Sequence, residues 1–194
     1  MLFNNLIIFY LLLISYPKRY SSDEAKDITT DEFENTCVNQ INIYRELHNA
    51  KPLTLNRELE EYAKNRCLKL SDIKYYNESF VALDNDIGEL RFVNKWAETK
   101  DYTCRRVVNE WYKLNRFFNY TSSTPLAPFK TKNKYTFNGL QSFAQLVWKK
   151  TTSIGCAKCT IHISVTRYDA TTYVCEFKPR GNIAGEYGYV GRPH

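Results

Sequence analysis

The chain has 194 residues, of which 43% are apolar and 25% are charged. This length and composition fit one globular domain with a sizeable core and exclude a wholly disordered protein. The net charge of +6 is moderate, and the lysines and arginines are scattered along the chain rather than gathered into one stripe. We therefore expect no nucleic-acid partner.

The first residues are typical of a secretory signal peptide. Leu6 to Tyr16 is an apolar run shorter than the ~20 residues needed to span a bilayer as a helix, and the polar stretch Ser21 to Glu24 follows it. We predict a signal peptide over residues 1–21 and an N-terminal arm over residues 22–32. An uncleaved membrane anchor is the alternative.

Six cysteines follow this segment, at positions 37, 67, 104, 156, 159 and 175. In an exported chain this even number predicts three disulfides, although many pairings are possible. Asn77 and Asn119 each begin an Asn-x-Ser/Thr triplet, the acceptor signal for N-glycosylation. These features together predict a secreted, extracellular glycoprotein.

Four helices are predicted from capping residues and from the spacing of apolar residues. The first opens at Thr29 to Glu32, a capping-box pattern, and ends before Pro52. Asn56 caps the second helix, and either Asp101 or Thr103 starts the third. The fourth has the apolar spacing of a deeply packed helix, with Leu140, Phe143, Ala144, Val147 and Trp148.

Two strands are predicted after these helices. Gly155-Cys156 turns the fourth helix into a strand, which continues with the apolar–polar alternation of a half-buried strand. A turn at Arg167 to Ala170 returns the chain as an antiparallel strand over Thr171 to Phe177. The stretch Asn119 to Asn138 is polar, contains two prolines and is expected to be a surface loop. The sequence therefore predicts an α+β fold.

Two segments carry a resemblance to a known family: FAQLVW at Phe143 to Trp148 and CEFKPRGN at Cys175 to Asn182. Three shorter segments match the same family in the same order: Asn42 to Arg45, Gly88-Glu89 and Trp111-Tyr112. The chain resembles the CAP superfamily of cysteine-rich secretory, antigen 5 and pathogenesis-related-1 proteins, and most of all its helminth venom allergen-like members. The resemblance implies a three-layer α-β-α sandwich with an antiparallel sheet, a domain over residues 33–187 and a C-terminal tail over 188–194.

The resemblance also implies a degenerate metal site. Family members often hold a divalent metal with two histidines and two glutamates, and the matching positions here are Glu78, Glu89, Leu114 and Ser142. Only Glu89 keeps a family ligand, so we expect no metal, no cofactor and no catalytic residue. The remaining histidines do not restore a site, and His48 is expected to contact the carbonyl groups that end the first helix.

Disulfide pairing can be carried over from the same family. Relatives pair the two cysteines of the closing hairpin, which here are Cys156 and Cys175. The plant branch adds a second pair, which here joins Cys67 to Cys159. Cys37 and Cys104 remain as the third implied pair.

Relatives bind sterols or fatty acids, or act on host proteins. Tyr112, Phe117 and Tyr120 match the aromatic spacing of a sterol-binding loop in the family, although such rings can also simply cap the core. We predict a secreted, non-enzymatic CAP protein that binds a sterol, a fatty acid or an extracellular protein partner. The alternatives are a metal-dependent hydrolase with relocated ligands and a glycosylated, immune-modulating surface protein.

Overall fold

The computed structural model describes residues 24–71, 86–94, 102–120, 134–163 and 168–194. The predicted signal peptide, the predicted glycosylation site Asn77 and the tetrad position Glu78 lie outside these ranges. Within them, no helix combines the length and the apolar character that crossing a membrane requires.

One five-stranded sheet runs through the molecule. Its strands are β1 (Lys26–Asp27), β2 (Thr54–Leu55), β3 (Gly88–Asn94), β4 (Ser153–Ile163) and β5 (Tyr168–Lys178). They lie in the order β1-β4-β5-β3, and β2 pairs with β4 on the same side as β1. All pairings are antiparallel except the parallel pairing of β2 with β4.

Four α-helices of the described residues cover this sheet: α1 (Asp31–Leu47), α2 (Arg57–Ser71), α3 (Cys104–Tyr112) and α4 (Lys134–Leu146). On one face, Leu70 of α2 shares a buried cluster with Val174 of β5. On the other face, α1, α3 and α4 share a cluster with the next strand residue, Cys175. Successive strand residues point to opposite faces, so the two cores are separated by the sheet. The predicted α+β, three-layer α-β-α sandwich is confirmed.

The helices begin at or beside the predicted capping residues. The side chains of Asn56 and Thr103 each accept a hydrogen bond from a backbone N–H in the first turn of the helix that follows, as predicted. The first helix starts one residue later than its capping-box pattern predicts, because Thr30 rather than Thr29 is its cap. The Thr29 hydroxyl instead accepts a hydrogen bond from the Lys158 backbone N–H at 2.9 Å, which fixes the arm to β4.

Two predicted boundaries are wrong. α4 begins at Lys134, so the loop expected over Asn119 to Asn138 is too long at its C-terminal end. Residues 134–138 include no proline or glycine that would stop a helix, so they join α4. The turn expected over Arg167 to Ala170 is also too long. β5 begins at Tyr168, and residues 168–170 pair with β4.

Described residues of both predicted end segments pair with the sandwich. Lys26–Asp27, within the predicted N-terminal arm, pairs with β4 at the edge of the sheet. In the predicted tail, Val190 is buried and forms a β-bridge with Trp148. The arm and the tail therefore both contact the core elements of the sandwich.

Three disulfides join all six cysteines: Cys37–Cys104, Cys67–Cys159 and Cys156–Cys175. These are the pairs that the family resemblance implies. The first joins α1 to α3, the second joins α2 to β4, and the third joins β4 to β5. Such cross-linking fits a protein of an oxidising compartment.

Candidate functional site

A polar cavity of about 370 Å³ lies between β3, α4 and the loop that follows β5. Its volume falls in the range of roughly 300–1,000 Å³ that is usual for small-molecule pockets. The charged and polar residues that define its chemistry are Glu89, Arg91, Ser142, Gln145, Arg180 and Asn182. The cavity therefore draws on both segments that carry the family resemblance.

Two glycines allow the cavity walls to approach each other closely. A Cβ atom at Gly88 would lie 2.9 Å from the side-chain Cδ of Gln145, and a Cβ at Gly181 would lie 2.9 Å from the indole ring of Trp148. Both distances are shorter than van der Waals contact, so a larger residue would push the strand or the loop away from α4.

Gln145 fixes the loop after β5 against α4. Its Oε1 accepts a hydrogen bond from the Gly181 backbone N–H at 2.7 Å, and its Nε2 donates to the Thr151 hydroxyl at 3.3 Å. Asn182 adds a second link, because its Nδ2 donates to the Gln141 carbonyl at 2.9 Å. The side chain of Gln145 is buried, so these bonds give the cavity a fixed wall.

Glu89 is held by an arginine. Its Oε2 accepts a hydrogen bond from Arg66 Nε at 2.7 Å, and both side chains are buried. Glu176 lies opposite Glu89 in the β3–β5 pairing and is fully buried. Burial and then the adjacent Glu89 carboxylate raise the pKa of Glu176, while the Arg66 charge opposes the rise. Glu176 therefore holds its proton at neutral pH.

The described positions of the family tetrad do not fit a metal. Leu114 packs against the core and has no donor atom. The Ser142 hydroxyl donates to the Asn138 carbonyl of the same helix at 3.0 Å. The remaining carboxylate, Glu89, is neutralised by Arg66, whose positive charge opposes a cation. Among the residues that the structure describes, these positions supply neither the number nor the kind of ligands that zinc requires.

The three predicted lipid-binding aromatics occupy two different environments. Tyr112 and Tyr120 both contact the ring of His48, with centroid distances of 5.7 and 6.2 Å. Burial raises the pKa of Tyr120 to about 12. Phe117, in contrast, is 55% exposed, and the Arg116 guanidinium lies 4.8 Å from its ring centroid. The structure therefore packs the two half-buried tyrosines against the core at His48 and places the phenylalanine at the surface.

The prediction for the His48 side chain is wrong. Its Nδ1 lies 2.7 Å from the Gly191 carbonyl oxygen and its Nε2 lies 2.8 Å from the Tyr112 hydroxyl, whereas the end of α1 is bound by the His48 backbone N–H. Burial lowers the pKa of His48. A neutral ring that donates from Nδ1 and accepts at Nε2 satisfies both partners.

Sequence reasoning missed several residues of the site, namely Arg66, Gln145, Glu176 and Arg180. Gln145 and Arg180 lie inside the two family segments, but no linear pattern shows that these segments meet at a cavity. The one available signal was at Glu176, a charged residue between Cys175 and Phe177 in a strand otherwise expected to be buried.

The class of protein that this fold and site define is a three-layer α-β-α sandwich with a polar cavity between the edge strand β3 and the helix α4. The sequence matches the CAP (cysteine-rich secretory protein) family over residues 38–177, which is most of the chain. The chain therefore belongs to the CAP family, as its motifs indicate.

Known relatives agree with this assignment. The chain is 33% identical over 113 residues to the STS14 protein of Solanum tuberosum, a match that covers 58% of this chain and 46% of that protein. Among solved structures, Na-ASP-1 has a TM-score of 0.60 at 21% identity and covers 81% of this chain and 41% of its own. BmVAL-1 has a TM-score of 0.58 at 16% identity and covers 86% of this chain and 82% of its own. These structures show the fold, and the chain spans about half the length of the first curated relatives that it matches.

Proposed function

We propose that this chain is a secreted CAP protein that acts by binding and not by catalysis. The observation that carries the proposal is the buried ion pair between Glu89 and Arg66, because it occupies the one carboxylate that the described tetrad positions retain. Leu114 and Ser142 add no ligand for a metal that could activate water. Three disulfides and membership of a family of cysteine-rich secretory proteins support export.

A zinc titration of the purified protein tests this part of the proposal. We expect no tight, stoichiometric binding of zinc. Tight binding of one zinc ion per chain, abolished by replacing Glu89 with glutamine, would instead support a metal-dependent hydrolase with relocated ligands.

The ligand that we propose is a sterol or a fatty acid. It is bound at the aromatic segment after α3, which consists of Phe117 and Tyr120 together with Tyr112 at the end of α3. Phe117 supports this ligand because its ring is more than half exposed, so an apolar molecule that covers it gains free energy. Tyr112 and Tyr120 support the segment from its inner side, because both pack against the core and contact His48. Arg116, beside the Phe117 ring, offers a positive charge to the carboxylate of a fatty acid.

Replacing Phe117 with alanine is expected to weaken sterol or fatty-acid binding about fivefold, because roughly 1 kcal/mol of apolar burial is lost. The measurement is a competition assay with a fluorescent sterol and a fluorescent fatty acid. Ile43→Ala is the matched control, since Ile43 is 53% exposed, like Phe117, but belongs to α1 and not to this segment, and it should bind like the wild type. Equal affinity of Phe117→Ala and Ile43→Ala would reject the aromatic segment as the ligand site.

An extracellular protein partner is the second candidate function. The observation that favours it is the exposure of Asn119, which leaves this predicted acceptor accessible to a glycosyltransferase and its glycan accessible to a receptor. Asn119→Gln should remove one glycan, seen as a mass decrease after secretion from eukaryotic cells. An unchanged mass would show that this position carries no glycan.

A further inference from the structure

The cavity beside β3 carries a net positive charge, whereas a cation site needs negative charge. We propose that the cavity binds an oxyanion: the phosphate or carboxylate group of a small molecule. This site is separate from the aromatic segment after α3. The proposal therefore does not depend on lipid binding.

Arg180 is the principal residue of the proposed site. It lines the cavity, is half-buried, and its backbone is held in place because its N–H donates to the Asp86 carbonyl at 2.9 Å. Among the described residues, its guanidinium has no hydrogen-bond or ion-pair partner. A guanidinium presents a planar set of N–H donors that matches the two oxygens of a carboxylate or phosphate. Its charge and its donors are therefore available to a ligand in the cavity.

A second arginine, Arg91, adds positive charge to the β3 wall. Its Nη2 donates to the Leu70 carbonyl at the end of α2 at 3.1 Å, which fixes the direction of the side chain. The cavity therefore has arginines on two of its sides, one on a strand and one on the loop that Gln145 holds against α4.

The acidic groups near the cavity do not cancel this charge. Glu89 is the acidic residue of the lining, and it forms its own ion pair with Arg66. Asp86 precedes the lining residue Ile87, and its carboxylate lies 4.0 Å from the Lys178 ammonium group. The remaining polar lining consists of neutral amides and a serine, so the wall carries a net positive charge.

The position and the size of the cavity favour a small ligand. A cavity of about 370 Å³ has room for a small organic anion, and its partial burial strengthens the attraction between opposite charges relative to bulk water. Where the family uses carboxylates and imidazoles to hold a cation, this chain places arginines at the same cleft.

The test is a calorimetric titration of the full chain with inorganic phosphate and, separately, with succinate, both against chloride at equal ionic strength. We expect saturable binding of at least one of the two anions, and the anion that binds identifies the group recognised. Arg180→Gln should weaken that binding at least about tenfold, the usual effect of losing a hydrogen bond to a charged group. Arg105→Gln is the matched control, because Arg105 is exposed on α3 and lies outside the cavity, and it should bind like the wild type.

Arg180→Gln decides the test because the wild-type side chain makes no internal bond, among the described residues, whose loss would unfold the protein. Its thermal unfolding should match that of Arg105→Gln, so any loss of binding is local. No saturable binding of either anion, or equal affinity in Arg180→Gln and Arg105→Gln, would overturn the proposal. Phe117→Ala should leave anion binding unchanged, which keeps this result independent of the lipid proposal.

Discussion

Replacing Arg45 with alanine is expected to lower the free energy of unfolding by roughly 4 kcal/mol or more, since several buried acceptors lose their donor at once. Arg45 is fully buried in α1. Its guanidinium donates hydrogen bonds of 2.7–3.1 Å to four backbone carbonyls, those of Lys51, Leu146, Trp148 and Thr151. These carbonyls belong to the segment that follows α1, to the last residue of α4 and to the segment that follows α4. One side chain therefore holds two loop segments onto the end of α1, and urea denaturation measures its contribution.

Two further substitutions show whether the effect comes from these hydrogen bonds. Arg45→Lys keeps the charge but loses the planar fork, so it should also destabilise the fold, by roughly 2 kcal/mol. Arg105→Ala changes an exposed arginine of α3 and should shift the free energy of unfolding by no more than about 0.5 kcal/mol. If Arg45→Ala unfolded at the same urea concentration as Arg105→Ala, these bonds would have no net stabilising role.

Glu34 is expected to make the folded state less stable as the pH rises from about 4.5 to about 7. Burial and then the Glu60 carboxylate raise the pKa of Glu34 from 4.5 to about 7, against a hydrogen bond from the Cys156 backbone N–H. In this pH window the folded chain holds a proton that the unfolded chain has released, so stability falls as the pH rises. The main cause is the burial of Glu34, which contacts β4 at Cys156, a residue with which neither β1 nor β2 pairs.

Glu34→Gln should remove this pH dependence, because a neutral amide has no proton to lose and still offers an oxygen to Cys156. At pH 8 the variant should be more stable than the wild type by roughly 1–3 kcal/mol, and at pH 4 the two should be nearly equal. Urea denaturation at several pH values measures the difference. Glu58→Gln, an exposed residue of α2, should leave the wild-type profile unchanged. Parallel pH profiles for the wild type and Glu34→Gln would refute the role of Glu34.

Local features of the fold could be predicted from the sequence, whereas features that depend on distant partners could not. Asn56 and Thr103 act within three residues of themselves, so their capping role can be recognised in a linear pattern. β3 has no counterpart among the predicted elements. Its charged residues Glu89 and Arg91 interrupt the apolar pattern, and they are accommodated because α2 supplies Arg66 and a backbone carbonyl.

The candidate site could likewise be predicted only in part from the sequence. Glu89 and Ser142, two of the tetrad positions that the family resemblance implies, both line the cavity. The motifs did not reveal that Arg66 neutralises Glu89, or that Arg180 reaches the same cavity, because these residues are brought together by the packing of α2 and of the loop after β5. The charge of the cavity therefore required the three-dimensional structure.

Among the described residues, no disulfide crosses the boundary between the sheet and the layer of α1, α3 and α4. Cys37–Cys104 stays within the layer of α1 and α3, and Cys156–Cys175 stays within the sheet. Cys67–Cys159 fastens α2 to the sheet. If the noncovalent contacts of the layer of α1, α3 and α4 are lost, α1 and α3 remain covalently joined to each other, and α2 remains joined to β4.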